Sequence, residues 1–150
     1  MSWDRPFDEL AVGDGADSRG RTVTEADISA FAALTGDMHP LHTDAEWAAR
    51  SPFGQRIAHG MLLVSCAVGL APFDPERVLA LRAVREAVFK RPVAIGDTIR
   101  AQIEIARLRP VDDATGLVAL SLRVVNQHDQ LCVRAELELL WRRSALAEAA

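Results

Sequence analysis

Cysteine is scarce, long apolar runs are missing and neither sign of charge dominates, and each shortage removes a class of protein. Only Cys66 and Cys132 occur in 150 residues. Both sit within apolar runs, as small buried hydrophobes of a reducing compartment do. No run of about 18 apolar residues exists, the length a membrane-crossing helix needs. The opening Met1-Ser2-Trp3-Asp4-Arg5-Pro6 has no apolar stretch of the secretory-leader kind, so the expected location is the cytoplasm. A formal net charge of −4 argues against a general nucleic-acid or membrane-surface role. The four histidines and two cysteines lack zinc-ligand spacing, and no phosphate-cradling glycine motif appears. No repeat, low-complexity tract or charge block divides the chain.

What is present is ordinary in bulk. With 49% hydrophobic and 25% charged residues, the chain reads as one globular domain over 1–150, long enough to bury a core. Residues 1–20 form a loop-rich lead-in with a short apolar foothold at Leu10-Ala11-Val12, and 142–150 a flexible tail. Thr24-Glu25-Ala26-Asp27 has the form of a helix capping box. Ile28, Phe31, Ala32 and Thr35 follow at helical spacing, and Gly36 is placed to end the helix. A second short helix is expected over Ala45–Arg50, stopped by Pro52. From Gly60 to Ala71 the chain is almost wholly apolar, which predicts a buried helix.

The second half changes period. Ile99, Ala101, Ile103 and Ile105 alternate with polar residues, as do Val118, Leu120, Leu122 and Val124. Leu131, Val133, Ala135, Leu137, Leu139 and Trp141 repeat the pattern, and Asn126–Gln130 joins the last two strands as a hairpin. An earlier strand is expected over Ala83–Val88. Helices early and antiparallel strands late make the class α+β.

One loop carries the most chemical information. Asp37 and His42 stand five residues apart across Pro40, and their reference pKa values lie on either side of neutrality, as an acid–base pair requires. Further on, Gly60 opens the apolar helix, where free backbone N–H groups can meet a ligand oxygen. Each has a structural alternative: a turn residue for Asp37, a solvated loop residue for His42, tight packing for Gly60.

Phe31-Ala32-Ala33-Leu34-Thr35-Gly36-Asp37, then Pro40-Leu41-His42, then Ile57-Ala58-His59-Gly60-Met61-Leu62 with Ser65 resemble the MaoC-type (R)-specific enoyl-CoA hydratases. Phe89-Lys90-Arg91-Pro92-Val93 and Ile95-Gly96-Asp97 extend the resemblance over most of the chain. It implies a hot-dog fold, an antiparallel sheet wrapped around the central apolar helix. It also implies a homodimer and a hydro-lyase acting across the 2,3 position of an acyl thioester. Asp37 and His42 then carry the proton work, with its division between them open. Gly60 supplies an oxyanion amide and Ser65 accompanies the pair, unless its hydroxyl bonds back to the carbonyl four residues earlier. His59 matches a His-Gly pair, with packing or capping as its expected role. No metal or redox cofactor is implied; the substrate carrier is CoA or an acyl-carrier protein, and Arg82, Arg85, Lys90 and Arg91 are candidates for its phosphates. His39 departs from the family, which has Asn there. The alternatives are a non-catalytic hot-dog subunit or a thioesterase. The latter needs its own nucleophile or carboxylate on the central helix, and Gly60–Ala71 contains no Asp or Glu.

Overall fold

The early helices form where the sequence supplies their ends. In the computed structural model, which describes residues 3–143, α1 spans Glu25–Thr35. Thr24 accepts from the Asp27 N–H while the Asp27 carboxylate accepts from the Thr24 N–H, so two otherwise orphaned donors are satisfied. Gly36 closes the helix at φ 78°, a conformation that costs glycine no Cβ strain. A single turn, α2 at Pro40–Thr43, takes the place of the expected proline turn, and α3 follows at Ala45–Ala49.

Six antiparallel strands complete the fold: β1 at Gly15–Asp17, β2 at Arg21–Thr22, β3 at Val78–Phe89, β4 at Thr98–Pro110, β5 at Thr115–Val125 and β6 at Leu131–Arg142. Their order is β1-β4-β5-β6-β3, with β2 also on β4. The alternating residues of β4, β5 and β6 face inward as expected: Ile105, Leu120, Leu122 and Leu137 are fully buried. The β5–β6 turn is held by the Asn126 side chain, whose Oδ1 accepts from the N–H groups of His128 and Gln130. Strand β3 is longer than the expected Ala83–Val88 at both ends. Its pairing with β6 shifts register at three places and Glu86 sits at φ 48°; such bulges break the two-residue period that a sequence reading depends on.

The sheet curls around α4, Gly60–Leu70, and Leu62, Leu63, Val64 and Ala67 enter the same core as the strand residues. One expectation is corrected here. The helix is not buried all round: Met61 is 52% exposed, and Ser65 and Gly69 are also exposed. These three recur every four residues, so they form one stripe, and a single curled sheet covers only its own concave side. The lead-in is looped for much of its length but pinned. Trp3 and Phe7 are buried, Trp3 packs on Trp141 and Phe73, and the Trp141 indole N–H donates to the Arg5 carbonyl. Arg142 still belongs to β6 and Arg143 is held by Asp8 and the Asp112 carbonyl, so these two residues are not part of a flexible tail; 144–150 lies outside the described residues. No helix among the described residues is long and apolar enough to cross a membrane.

Candidate active site

The Gly36 turn delivers Asp37 directly beyond α1. The Asp37 N–H donates to the Thr35 hydroxyl at 3.2 Å, and its carboxylate accepts from the His39 N–H at 3.3 Å. His39 is the N-cap of α2: its Nδ1 accepts from the Leu41 N–H at 3.1 Å. That task needs only a short side chain with an acceptor, which is how a histidine can stand where the resembling family has asparagine.

His42 lies on α2 with Nδ1 2.7 Å from the Ile57 carbonyl. A carbonyl only accepts, so Nδ1 carries the proton and Nε2 is left, in the neutral ring, as the bare nitrogen. The Ile57 N–H returns a bond to the Leu41 carbonyl at 3.3 Å, which ties α2 to the segment before α4. Burial holds the His42 imidazolium below its ordinary range; the Ile57 bond opposes this and nearby His59 adds to it.

His59 sits beneath the pair, 3% exposed. Its Nε2–H donates to the Asp37 carbonyl at 3.0 Å, and its ring stacks on His42 with centroids 3.7 Å apart and planes 24° from parallel. The capping role open to it from sequence is absent: as N-cap of α4 it makes no side-chain cap bond. The first-turn amides of α4, which have no intrahelical acceptor, therefore receive none from its side chain. At Gly60 a Cβ would stand 2.6 Å from the Phe89 ring, so only glycine lets that ring lie against the helix start.

The Phe89–Asp97 segment builds the remaining wall. The Lys90 N–H bonds to the Cys132 carbonyl at 2.7 Å and the Ala58 N–H to the Val93 carbonyl at 2.8 Å. Gly96 turns at φ 94° and the Asp97 carboxylate accepts from the Ala94 N–H. Together these elements enclose a cavity of about 560 Å³ that Asp37, His42, His59 and Gly60 all line, with Phe31, Phe53, Met61 and Phe89 supplying apolar wall.

Asp37, His42 and Gly60 are thus brought to one cavity. Ser65 is not: it lines a second hollow of about 630 Å³ with Arg19, Arg21 and Cys66, and its hydroxyl forms no hydrogen bond among the described residues. Of the basic candidates, Lys90 and Arg91 line the first cavity, whereas Arg82 and Arg85 pair with Glu138 on the sheet. The apolar wall residues Phe31, Phe53 and Phe89 were not singled out from sequence as site residues, because an aromatic in a pocket has the same spacing as one in a core.

Asp37, His42 and His59 each offer one ligand atom within 4.8 Å of the others, the composition of a two-histidine, one-carboxylate metal set. Within that set His42 Nδ1 and His59 Nε2 are already engaged with carbonyls, so each ring has a single nitrogen left to offer.

Residues 9–127 match the MaoC-like domain. The chain belongs to that family. It is 36% identical over 107 residues to a 3-hydroxybutyryl-CoA dehydratase of Methylorubrum extorquens, covering 69% of this chain and 66% of the relative. It is 35% identical over 111 residues to an (R)-specific enoyl-CoA hydratase of Aeromonas caviae, covering 74% and 81%. Among solved structures, a protein of Archaeoglobus fulgius described as a monoamine oxidase regulatory protein is 37% identical with a TM-score of 0.88, covering 97% of this chain and all of the other. A Mycobacterium tuberculosis protein with a double hot-dog fold is 25% identical with a TM-score of 0.82, covering 97% and 46%. The MaoC-like chain is a single α+β hot-dog domain in which the sheet wraps α4.

Proposed function

We propose that this MaoC-like protein is a hydro-lyase that adds or removes water across the 2,3 position of an acyl thioester. The observation that carries the reading is the shared cavity: the Asp37 carboxylate, the bare His42 Nε2 and the start of α4 meet in one apolar-walled space. Hydration needs a group to take a proton from water as its oxygen attacks the β-carbon, a group to return a proton to the α-carbon, and stabilisation of charge on the thioester oxygen. The Ile57 bond makes His42 Nε2 an acceptor, so the first proton leaves water toward the Asp37–His42 pair. Both side chains line one cavity, so attack and proton return use a single face of the double bond. The Gly60 amide, at the positive end of α4, meets the developing oxyanion. These steps use the chain's own groups, with CoA or an acyl-carrier protein as substrate carrier and no resident cofactor.

Lys90 and Arg91 favour CoA, because they flank the cavity and neither is in a salt bridge among the described residues. The two buried thiols, Cys66 and Cys132, whose acidities are weakened by burial, suit a cytoplasmic protein. A homodimer joined through β3 fits the free edge of the sheet, where Leu79, Leu81 and Val84 are partly exposed.

The test follows loss of enoyl absorbance with crotonyl-CoA. Wild-type protein turns over. Asp37→Asn and His42→Ala each lose about 10²–10⁴ in kcat, the usual worth of a general acid–base group, with unchanged circular dichroism. Variants that keep the wild-type rate would place the chemistry elsewhere. Crotonyl-pantetheine, which lacks the nucleotide phosphates, raises KM if Lys90 and Arg91 hold them; an equal KM removes them from the site.

A further inference from the structure

Of the ionisable side chains that line the cavity, His59 is the one to which the proposed mechanism gives no task. Its surroundings are not those of a spacer. It is buried to 3% exposure, it joins residues from both ends of the site, and its Nδ1 has no hydrogen-bond partner among the described residues. A buried polar atom without a partner costs free energy that a phenylalanine of similar shape would avoid. Packing against Phe31, whose ring centroid lies 5.1 Å away, is therefore not a sufficient account of an imidazole here. What phenylalanine lacks is the N–H at Nε2, and that N–H holds the Asp37 carbonyl at 3.0 Å.

The stack supplies the other half. The Ile57 carbonyl fixes which nitrogen of His42 carries the proton, but one hydrogen bond leaves the ring free to pivot about it. The His59 ring, 3.7 Å below and 24° from parallel, removes that pivot. Ile57 and His59 are two residues apart, so one short segment sets both the tautomer and the plane of His42. The same segment reaches back 22 residues to Asp37, on the far side of α2.

We infer that His59 is a positioning residue that locks the plane of His42 and the backbone of Asp37, so that carboxylate and imidazole keep their relative geometry through turnover. The inference rests on the reading of Asp37 and His42 as the acid–base pair. It assigns His59 no proton transfer.

Two substitutions separate the two contacts. His59→Phe keeps a ring against His42 and loses the bond to Asp37; His59→Gln keeps a donor and loses the ring. Assayed with crotonyl-CoA, each lowers kcat by about 10- to 100-fold, as a misplacement of about 1 Å does. KM stays within about threefold, since ground-state binding is untouched. In ¹⁵N-histidine spectra of the wild type, His42 reports the Nδ1–H tautomer and His59 the Nε2–H tautomer; in His59→Gln the His42 signals broaden or average. A His59→Phe protein with wild-type kcat overturns the inference. So does a kcat loss matched by the same rise in KM, or a His42 signal unaltered in His59→Gln. If glutamine prevents folding, the kcat-against-KM split in His59→Phe decides alone. Asp37→Asn is run beside them. If it too retains activity, the acid–base reading has failed; if it alone loses activity, only the role of His59 has.

Discussion

At the scale of single residues, the site works through what each nitrogen is already bonded to. His42 has its Nδ1 committed to Ile57 and is held below its ordinary acidity range chiefly by burial. The sign then follows. A depressed pKa means the bare, proton-accepting ring persists to lower pH than a free histidine, so kcat/KM stays level through neutrality and falls only below the ordinary histidine value of about 6.5. The same shift acts on folding. Below about pH 6.5 an unfolded chain binds a proton that the native His42 resists, so this residue's contribution to stability declines as pH falls through that window. A pH–rate profile with its acid limb above 6.5 would contradict the assignment. That Asp37 and His42 come together on one cavity was legible in the sequence, because five residues spanning Pro40 is a local relation. For His59 the sequence offered packing or capping; the packing is there, but its particular partners, 17 and 22 residues away, were not legible, because only the fold stacks it on one and bonds it to the other. Ser65 shows the converse: helical spacing put it correctly on a face with Met61 and Gly69, but it could not say that the Asp37 cavity takes in only Met61 of that face.

At the scale of elements, two glycines show how the same steric fact can serve activity or stability. A Cβ at Gly60 meets the Phe89 ring at 2.6 Å, and one at Gly116 meets the Phe7 ring at 2.4 Å. Phe89 is 48% exposed and can swing away; Phe7 is 5% exposed and wedged in the core. Gly60→Ala therefore leaves thermal stability nearly intact and lowers turnover, by displacing the ring that frames the α4 amides. Gly116→Ala costs about 1–3 kcal/mol, as overpacking does, and spares kcat in whatever folds. Thermal melts and initial rates on the two variants check this, and equal effects on both quantities would refute it. The elements themselves were largely readable: the Thr24 box, the Gly36 stop and the alternation in β4, β5 and β6 are local signals. The ends of β3 were hidden by its bulges, and α2 by its length of four residues, too short to show a period.

At the scale of the whole molecule, among the described residues the sheet leaves β3 with one unpaired edge, and α4 leaves a stripe of Met61, Ser65 and Gly69 uncovered. Open edges invite pairing with another chain, and a two-fold axis beside β3 would join two sheets into one. The expected outcome in light scattering is a dimer whose dissociation is promoted by Val84→Lys, an insertion of charge on that edge strand; a monomer in the wild type with full activity would contradict it. The wrapped-helix architecture followed from family resemblance more than from periodicity, because alternation says which side of a strand is apolar but not that the sheet curls.

A hydro-lyase cavity adds water to a carbon–carbon double bond and leaves the thioester whole. Mass spectrometry of the product from crotonyl-CoA in D₂O separates that outcome from hydrolysis. The expected product is 3-hydroxybutyryl-CoA carrying one carbon-bound deuterium, at the α-carbon, formed by the wild type and not by Asp37→Asn. Free CoA thiol with released crotonate would show instead that the site hydrolyses the thioester, and the acid–base assignment of Asp37 and His42 to hydration would fall with it.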